Sequence, residues 1–303
     1  MKKIILLMIV IICCFSSSAF GDGQAGMDIA VLSAGVGARA LGMGGAFSAI
    51  ADNADAPYWN PAGLAEIHDS EITTMQTKLS TDADHYYLSY VQPLFGGSVG
   101  VSWIQIGLGS ITQTSSEVSS NNEVVNLSMF SYFSNAFLFS YGREIVDNLS
   151  FGLTAKYITS DMTQIQGGQA YGYSITPGIL YKMLPGWTLG VKVDEMINEQ
   201  SWGTGTIEKV PPKLRMGVAW DAAKIGLFAV DLSQILNSGY STEAAAGYEW
   251  SRNGLSLRVG YGSDSLSAGA GFEVDNISLD YAYVKQTALS QDNVHRVSLS
   301  GKW

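Results

Sequence analysis

The stretch Gly35-Val-Gly37-Ala-Arg-Ala40, entered by the apolar run Ala30-Val31-Leu32, has the residue types of a dinucleotide-binding turn, in which glycines let the backbone approach a pyrophosphate. That chemistry needs a strand before the glycines, a helix after them and more such units downstream. No regular alternation of strand and helix follows Ala40, so no nucleotide cofactor is expected. The three histidines, His68, His85 and His295, lack metal-ligand spacing, and serine is too abundant to mark a nucleophile. The two cysteines, Cys13 and Cys14, lie in a leader segment, which removes disulfides, thiolate nucleophiles and zinc–cysteine sites from the mature chain. The expectation is a protein with no catalytic residue, no metal and no cofactor.

The leader spans residues 1–21: Lys2 and Lys3, an apolar run from Ile4 to Cys14, then small residues from Ser16 to Ala19. That order is a secretory signal, and the run is too short to cross a bilayer as a helix. Neither cysteine follows a small residue, so the pattern of a lipid-modified cysteine is not met. Taking Lys2 and Lys3 from the 17 basic residues leaves 15 against 27 acidic ones, a net charge of −12, which repels nucleic acid. The chain is 47% hydrophobic and 15% charged, yet it holds no later apolar stretch of membrane-helix length. A transmembrane β-barrel reconciles these facts, because its strands alternate between lipid and lumen.

From residue 71 to 303 the chain reads as period-two strands. In Leu149-Ser-Phe151-Gly-Leu153-Thr-Ala155-Lys-Tyr157 one face is apolar and the other is Ser150, Gly152, Thr154 and Lys156. Fourteen strands are expected, near 71–79, 84–94, 97–107, 133–143, 148–159, 170–182, 187–195, 212–221, 224–233, 243–250, 254–262, 265–274, 276–285 and 293–303. Tight turns at Phe95-Gly96-Gly97, Val146-Asp147-Asn148, Leu184-Pro185-Gly186, Ala222-Ala223, Ser251-Arg252-Asn253 and Asp275-Asn276 alternate with longer polar segments. Those segments, Gly109 to Glu123, Ser160 to Gln169 and Asn198 to Val210, read as external loops. Tyr141, Tyr181, Trp187, Trp220 and Trp250 beside the tight turns, and Tyr157, Tyr171, Tyr261 and Tyr283 at the opposite ends, read as two interfacial girdles.

A barrel of about fourteen strands is too wide for its own side chains to fill, so residues 22–70 are expected to fold inside it as a plug. The stretch "GARALGMGGAFSAIADNADAPYWNPAGLAEI", Gly37 to Ile67, resembles the N-terminal signature shared by FadL-type outer-membrane transporters and PorV/PorQ-type proteins of type IX secretion. The motif positions are Arg39, Gly42, Gly44 and Gly45, then Asn60, Pro61 and Gly63. The resemblance implies an all-β, antiparallel barrel in a Gram-negative-type outer membrane. It further implies either diffusion of small, fatty-acid-like hydrophobic molecules past the plug or docking of secreted proteins. The first role makes Leu41, Met43, Phe47, Tyr58 and Trp59 candidate ligand contacts. It also makes Pro177-Gly178, where a strand loses a ladder donor, a candidate sideways exit. The expected partners are the lipid bilayer and, through the terminal Trp303, the barrel-assembly machinery. FadL-type transporters carry larger external loops than this chain.

Overall fold

The computed structural model describes residues 29–79, 82–118, 121, 123–237, 240–262, 265–286 and 293–303. The signal-peptide expectation falls outside them. The strands are β1 Glu71–Lys78, β2 Asp84–Leu94, β3 Gly97–Val118, β4 Val124–Val146, β5 Leu149–Met162, β6 Gln169–Leu184, β7 Trp187–Asp194, β8 Ile197–Trp202, β9 Ile207–Glu208, β10 Lys213–Asp221, β11 Leu227–Ile235, β12 Glu243–Arg252, β13 Leu255–Gly262, β14 Ser265–Val274, β15 Ile277–Gln286 and β16 Val294–Lys302. Fourteen of the sixteen close into an antiparallel barrel, and β8 and β9 are extra. The ring closes where β1 meets β16, in register from Glu71↔Lys302 to Thr77↔Arg296. Backbone bonds between Ser70 and Trp303 of 3.1 and 3.0 Å extend that seam.

The strands are amphipathic in the inverse sense to a soluble sheet. On β5 the buried side chains include Ser150, Thr154, Lys156 and Ser160, with Ile158 the one large apolar member, and the exposed ones include Phe151, Leu153 and Tyr157. On β13 Arg258 is buried while Leu257, Val259 and Tyr261 are exposed. Apolar side chains on an open face are stable when the surrounding medium is hydrocarbon. A row of rings, Trp187, Trp220, Phe228 and Tyr248, crosses β7, β10, β11 and β12 beside the tight turns, with centroids 5.4, 5.6 and 4.8 Å apart. Those turns are built from residues that tolerate a left-handed backbone; Asn253 and Gly254, at φ 53° and 78°, form one.

Two expected loops are corrected. The segment Gly109 to Glu123 is not an external loop along its length, because β3 runs on to Val118 and β4 begins at Val124. Neighbouring strands stop sooner, β2 opposite Gly107 and β5 opposite Tyr132, so this hairpin stands above the barrel rim as a two-stranded ribbon. Asn198 to Val210 likewise contains β8, which continues β7 along β6, and the two-residue β9.

Residues Ile29 to Ile67 lie inside the lumen as short pieces: α1 Ala30–Ser33, α2 Ala38–Gly42, α3 Ala56–Trp59 and a 3-10 turn, Pro61–Glu66. The segment descends from the long-loop end, where α1 packs on β3 and β4, to the tight-turn end, where Ser98 Oγ donates to the Ile67 carbonyl at 2.8 Å. Its small residues meet glycines on the wall. A Cβ on Gly142 or Gly152 would strike Pro61, on Gly178 Asn60, on Gly190 Ser48, and on Gly247 or Gly260 Met43. Gly142, Gly152 and Gly178 face one another in register across β4, β5 and β6. The wall is thus pared to backbone where the segment presses against it.

Candidate functional site

The motif residues divide into those that shape the inner segment and those that tie it to the wall. Gly44 and Gly45 have φ of 70° and 81°, so a side chain at either is strained, and Gly44 also sits on the backbone of Tyr261, where a Cβ would clash. Gly42 lies against Gly269 and Arg258, and Gly63 against Ala51. Asn60 caps the 3-10 turn by accepting from Ala62 N at 3.1 Å, as Pro61 begins it. The Asn60 amide also donates to the carbonyls of Ser48 at 2.7 Å and Ile179, on the wall, at 3.1 Å. Arg39 bridges Asp52 in its own segment, at 2.6 Å, and Glu249 on β12, at 2.8 Å. Arg258 joins Glu249 to Asp280, each at 2.5 Å.

Among the described residues, cavities flank the segment on both sides. Two, of about 450 and 340 Å³, open at the tight-turn end and share Arg39, Glu249 and Ser251. On the long-loop side a cavity of about 310 Å³ is lined by Leu41, Tyr58, Trp59, Gly44 and Gly45, facing Lys213, Arg215, Asp231 and Glu243. A smaller one of about 70 Å³ adjoins it at Tyr58, Lys213 and Arg215 and reaches Lys156, Lys192 and Glu195. Of the five candidate ligand contacts, Leu41, Tyr58 and Trp59 therefore line one cavity. Met43 and Phe47 are fully buried instead, in the strip Met43–Ser48 that separates the two sides.

That strip is clamped from the wall. Asp231 on β11 accepts from Phe47 N at 3.2 Å and Ser48 N at 3.0 Å, and Arg215 Nη1 donates to the Gly45 carbonyl at 3.3 Å. The Arg215 guanidinium lies 5.4 Å from the Trp59 ring centre, and Lys192 lies as far from that of Tyr58. The cavity charges are paired with one another: Lys156 with Glu195 at 2.5 Å, Lys192 with Asp194 at 2.8 Å and Lys213 with Glu243 at 2.7 Å. Period-two alternation puts Lys156 on the polar face of its strand but does not give its partner, since strand register decides which charges meet. At the segment's lower end Asp55 is buried, with Oδ2 accepting from Asn53 at 3.3 Å and Oδ1 unpartnered. Burial, reinforced by the Glu71 carboxylate, pushes the Asp55 carboxyl up to about 7.

Pro177 and Gly178 keep a regular ladder with β5, as Leu153↔Pro177 and Gly152↔Gly178. Their other neighbour is broken: β6 pairs Gly178 with Lys192 of β7 and then Ile175 with Ile197 of β8. Glu195, at φ 55°, sits in that interruption and also lines the smaller cavity. Beyond the gap β8 pairs with β9, as Gln200↔Glu208 and Ser201↔Ile207, and next to the gap Asn198 donates to the Val210 carbonyl and accepts from Val210 N, each at 2.9 Å. The residues that follow, Pro211 and Pro212, have no N–H to extend a ladder.

An apolar outer face, fourteen closing strands and an occupied lumen define a β-barrel of the outer-membrane type. No family model matches the chain, and no curated protein matches it in sequence. Solved structures share the fold. The Ralstonia pickettii toluene transporter TbuX is similar with a TM-score of 0.67 at 15% identity, over 89% of this chain and 98% of that one. The P. putida toluene transporter TodX gives 0.66 at 15%, over 89% and 99%. A Pseudomonas aeruginosa FadL homologue gives 0.61 at 12%, over 92% and 99%. The architecture is thus that of FadL-type barrels.

Proposed function

We propose that the chain is a non-enzymatic outer-membrane channel through which small hydrophobic, fatty-acid-like molecules diffuse past an N-terminal plug, residues 22–70. The observation that carries this reading is the cavity of about 310 Å³ on the long-loop side of the inner segment, with Leu41, Tyr58 and Trp59 in its lining. Proteins of like fold are named as toluene transporters, which supports a hydrophobic solute. The motif residues Arg39, Gly42, Gly44, Gly45, Asn60, Pro61 and Gly63 set the plug's shape and its attachment. Met43 and Phe47 act as the septum, and the interrupted ladder beside Pro177 and Gly178 is the sideways exit. A ligand entering the cavity favours a second packing of the septum over the first. Trp303 stacks on Tyr90 with ring centres 6.0 Å apart. Uptake of a labelled fatty acid into proteoliposomes tests the reading. Uptake above that of protein-free vesicles, altered when residues 30–45 are deleted, is expected; equal and negligible uptake by both proteins contradicts it.

One observation favours the second reading, a PorV/PorQ-like docking component. The β3–β4 ribbon exposes Val124, Leu127 and Met129 above the rim, each at least 60% accessible, and apolar side chains in water mark a contact surface. Pull-down of the native barrel separates the two: secreted proteins sharing a C-terminal domain support docking, and co-purified lipid supports transport.

A further inference from the structure

Two lumen-facing side chains near the cavity have unspent hydrogen-bonding capacity. His85 on β2 and Arg296 on β16 both pair in register with Thr77 of β1, which places them one strand to either side of it. His85 is fully buried and Arg296 is 6% exposed. Neither ring nitrogen of His85 has a hydrogen-bond partner, and neither does Arg296 Nε. Arg296 reaches the Gly35 carbonyl through Nη1 at 3.4 Å and forms no ion pair among the described residues. The Thr77 hydroxyl is engaged by the His295 carbonyl at 2.6 Å. Other buried lumen cations, Arg39, Lys156, Lys192 and Arg258, each have a carboxylate.

An unpaired guanidinium away from water is strongly unfavourable, and an imidazole with two bare nitrogens adds to the cost. The imbalance has one sign. Arg296 offers N–H donors and a full positive charge, His85 offers ring nitrogens without a partner, and no carboxylate among the described residues answers them. Gly35, which Arg296 touches, is also part of the cavity lined by Tyr58 and Trp59. We infer that Arg296 and His85 hold a single anionic group, either a free small anion or the carboxylate end of a ligand whose apolar part lies in that cavity. The second source rests on the channel reading; the first does not. Charge-assisted bonds are the strong ones, so an anion here gains where a neutral analogue of equal shape does not.

The test uses the full mature barrel in amphipol. Equilibrium binding of labelled dodecanoate and dodecanol is compared in the native protein, Arg296→Gln and Arg296→Lys, and crystals grown in bromide are examined by anomalous scattering. Dodecanoate binding tenfold or more tighter than dodecanol, with the gap closed by Arg296→Gln and largely restored by Arg296→Lys, supports a ligand carboxylate. Bromide between Arg296 and His85, with neither alkyl probe bound, supports a free anion and counts against the channel reading instead. Equal binding of the two alkyl probes with no bromide at the site overturns the inference and leaves the channel reading standing. If Arg296→Gln does not fold, His85→Phe carries the same comparison, with a smaller loss of the gap expected.

Discussion

At the scale of single residues, the inner segment is held by close approach and by a few buried polar groups. Gly152 faces the backbone at Pro61 and Ala62, so Gly152→Leu leaves no room for the segment in its present place. Overpacking of this kind costs about 1–3 kcal/mol or more. The expected result is a lower thermal midpoint and faster protease cleavage within residues 30–66, whereas unchanged resistance would contradict the packing described. Asp55 gives a pH signature. Its carboxyl titrates near 7 in the folded barrel, above the ordinary value of 3.8, so the folded state holds the proton more tightly than the unfolded one. Its contribution is fully present below pH 4 and is lost as pH rises through 7. Asp55→Asn keeps the shape of the protonated acid, so the native midpoint should fall between pH 5 and pH 8 by more than that of the variant. Parallel curves would remove Asp55 from this role. The motif glycines were legible in the sequence as special positions. What they do was not, because a glycine serving a left-handed turn and one admitting a foreign backbone are the same letter until the wall is in place.

At the scale of elements, turn chemistry and period-two alternation carried most of the barrel. The turn expected at Ser251-Arg252-Asn253 falls one residue later, at Asn253-Gly254, and that at Phe95-Gly96-Gly97 falls where expected. The β3–β4 ribbon was misread because alternation records a difference between two media, and above the rim both faces meet water. Ser, Thr and Asn then fill a strand with the composition of a loop. β8 and β9 escaped for a related reason, being short and separated by Gly203-Thr204-Gly205. The break where β6 passes from β7 to β8 is an element-level weakness that only register exposes. Asn198→Ala removes both bonds to Val210, each worth about 1 kcal/mol. Amide exchange at Val210 should quicken about 5- to 30-fold while β11 and β12 stay protected. An unchanged rate at Val210 would show that Asn198 does not hold this strand end in place.

At the scale of the whole molecule, the outer face belongs to hydrocarbon and the inner face to the folded-in segment. The first half of that statement predicts an asymmetry along one strand. Val259→Arg, on the exposed face of β13, should cost about 2–4 kcal/mol if it sits near the bilayer midplane, measured by chemical unfolding in lipid vesicles. Val259→Ile should be nearly neutral. Composition foretold this face, since a chain 47% hydrophobic with no later membrane-length apolar run has few other ways to be folded. Whether the inner segment moves is the claim on which the channel reading depends. No residue after Cys14 is a cysteine, and Ala38 N lies 2.9 Å from Ser298 Oγ on the wall, so in a protein beginning at residue 22 Ala38→Cys with Ser298→Cys offers a reversible lock. Fatty-acid flux into proteoliposomes, measured on the oxidised and then the reduced form of this double variant, is the most direct measurement. Flux that falls on oxidation and returns on reduction is the predicted result; flux indifferent to the lock would contradict a plug that must shift for its solute.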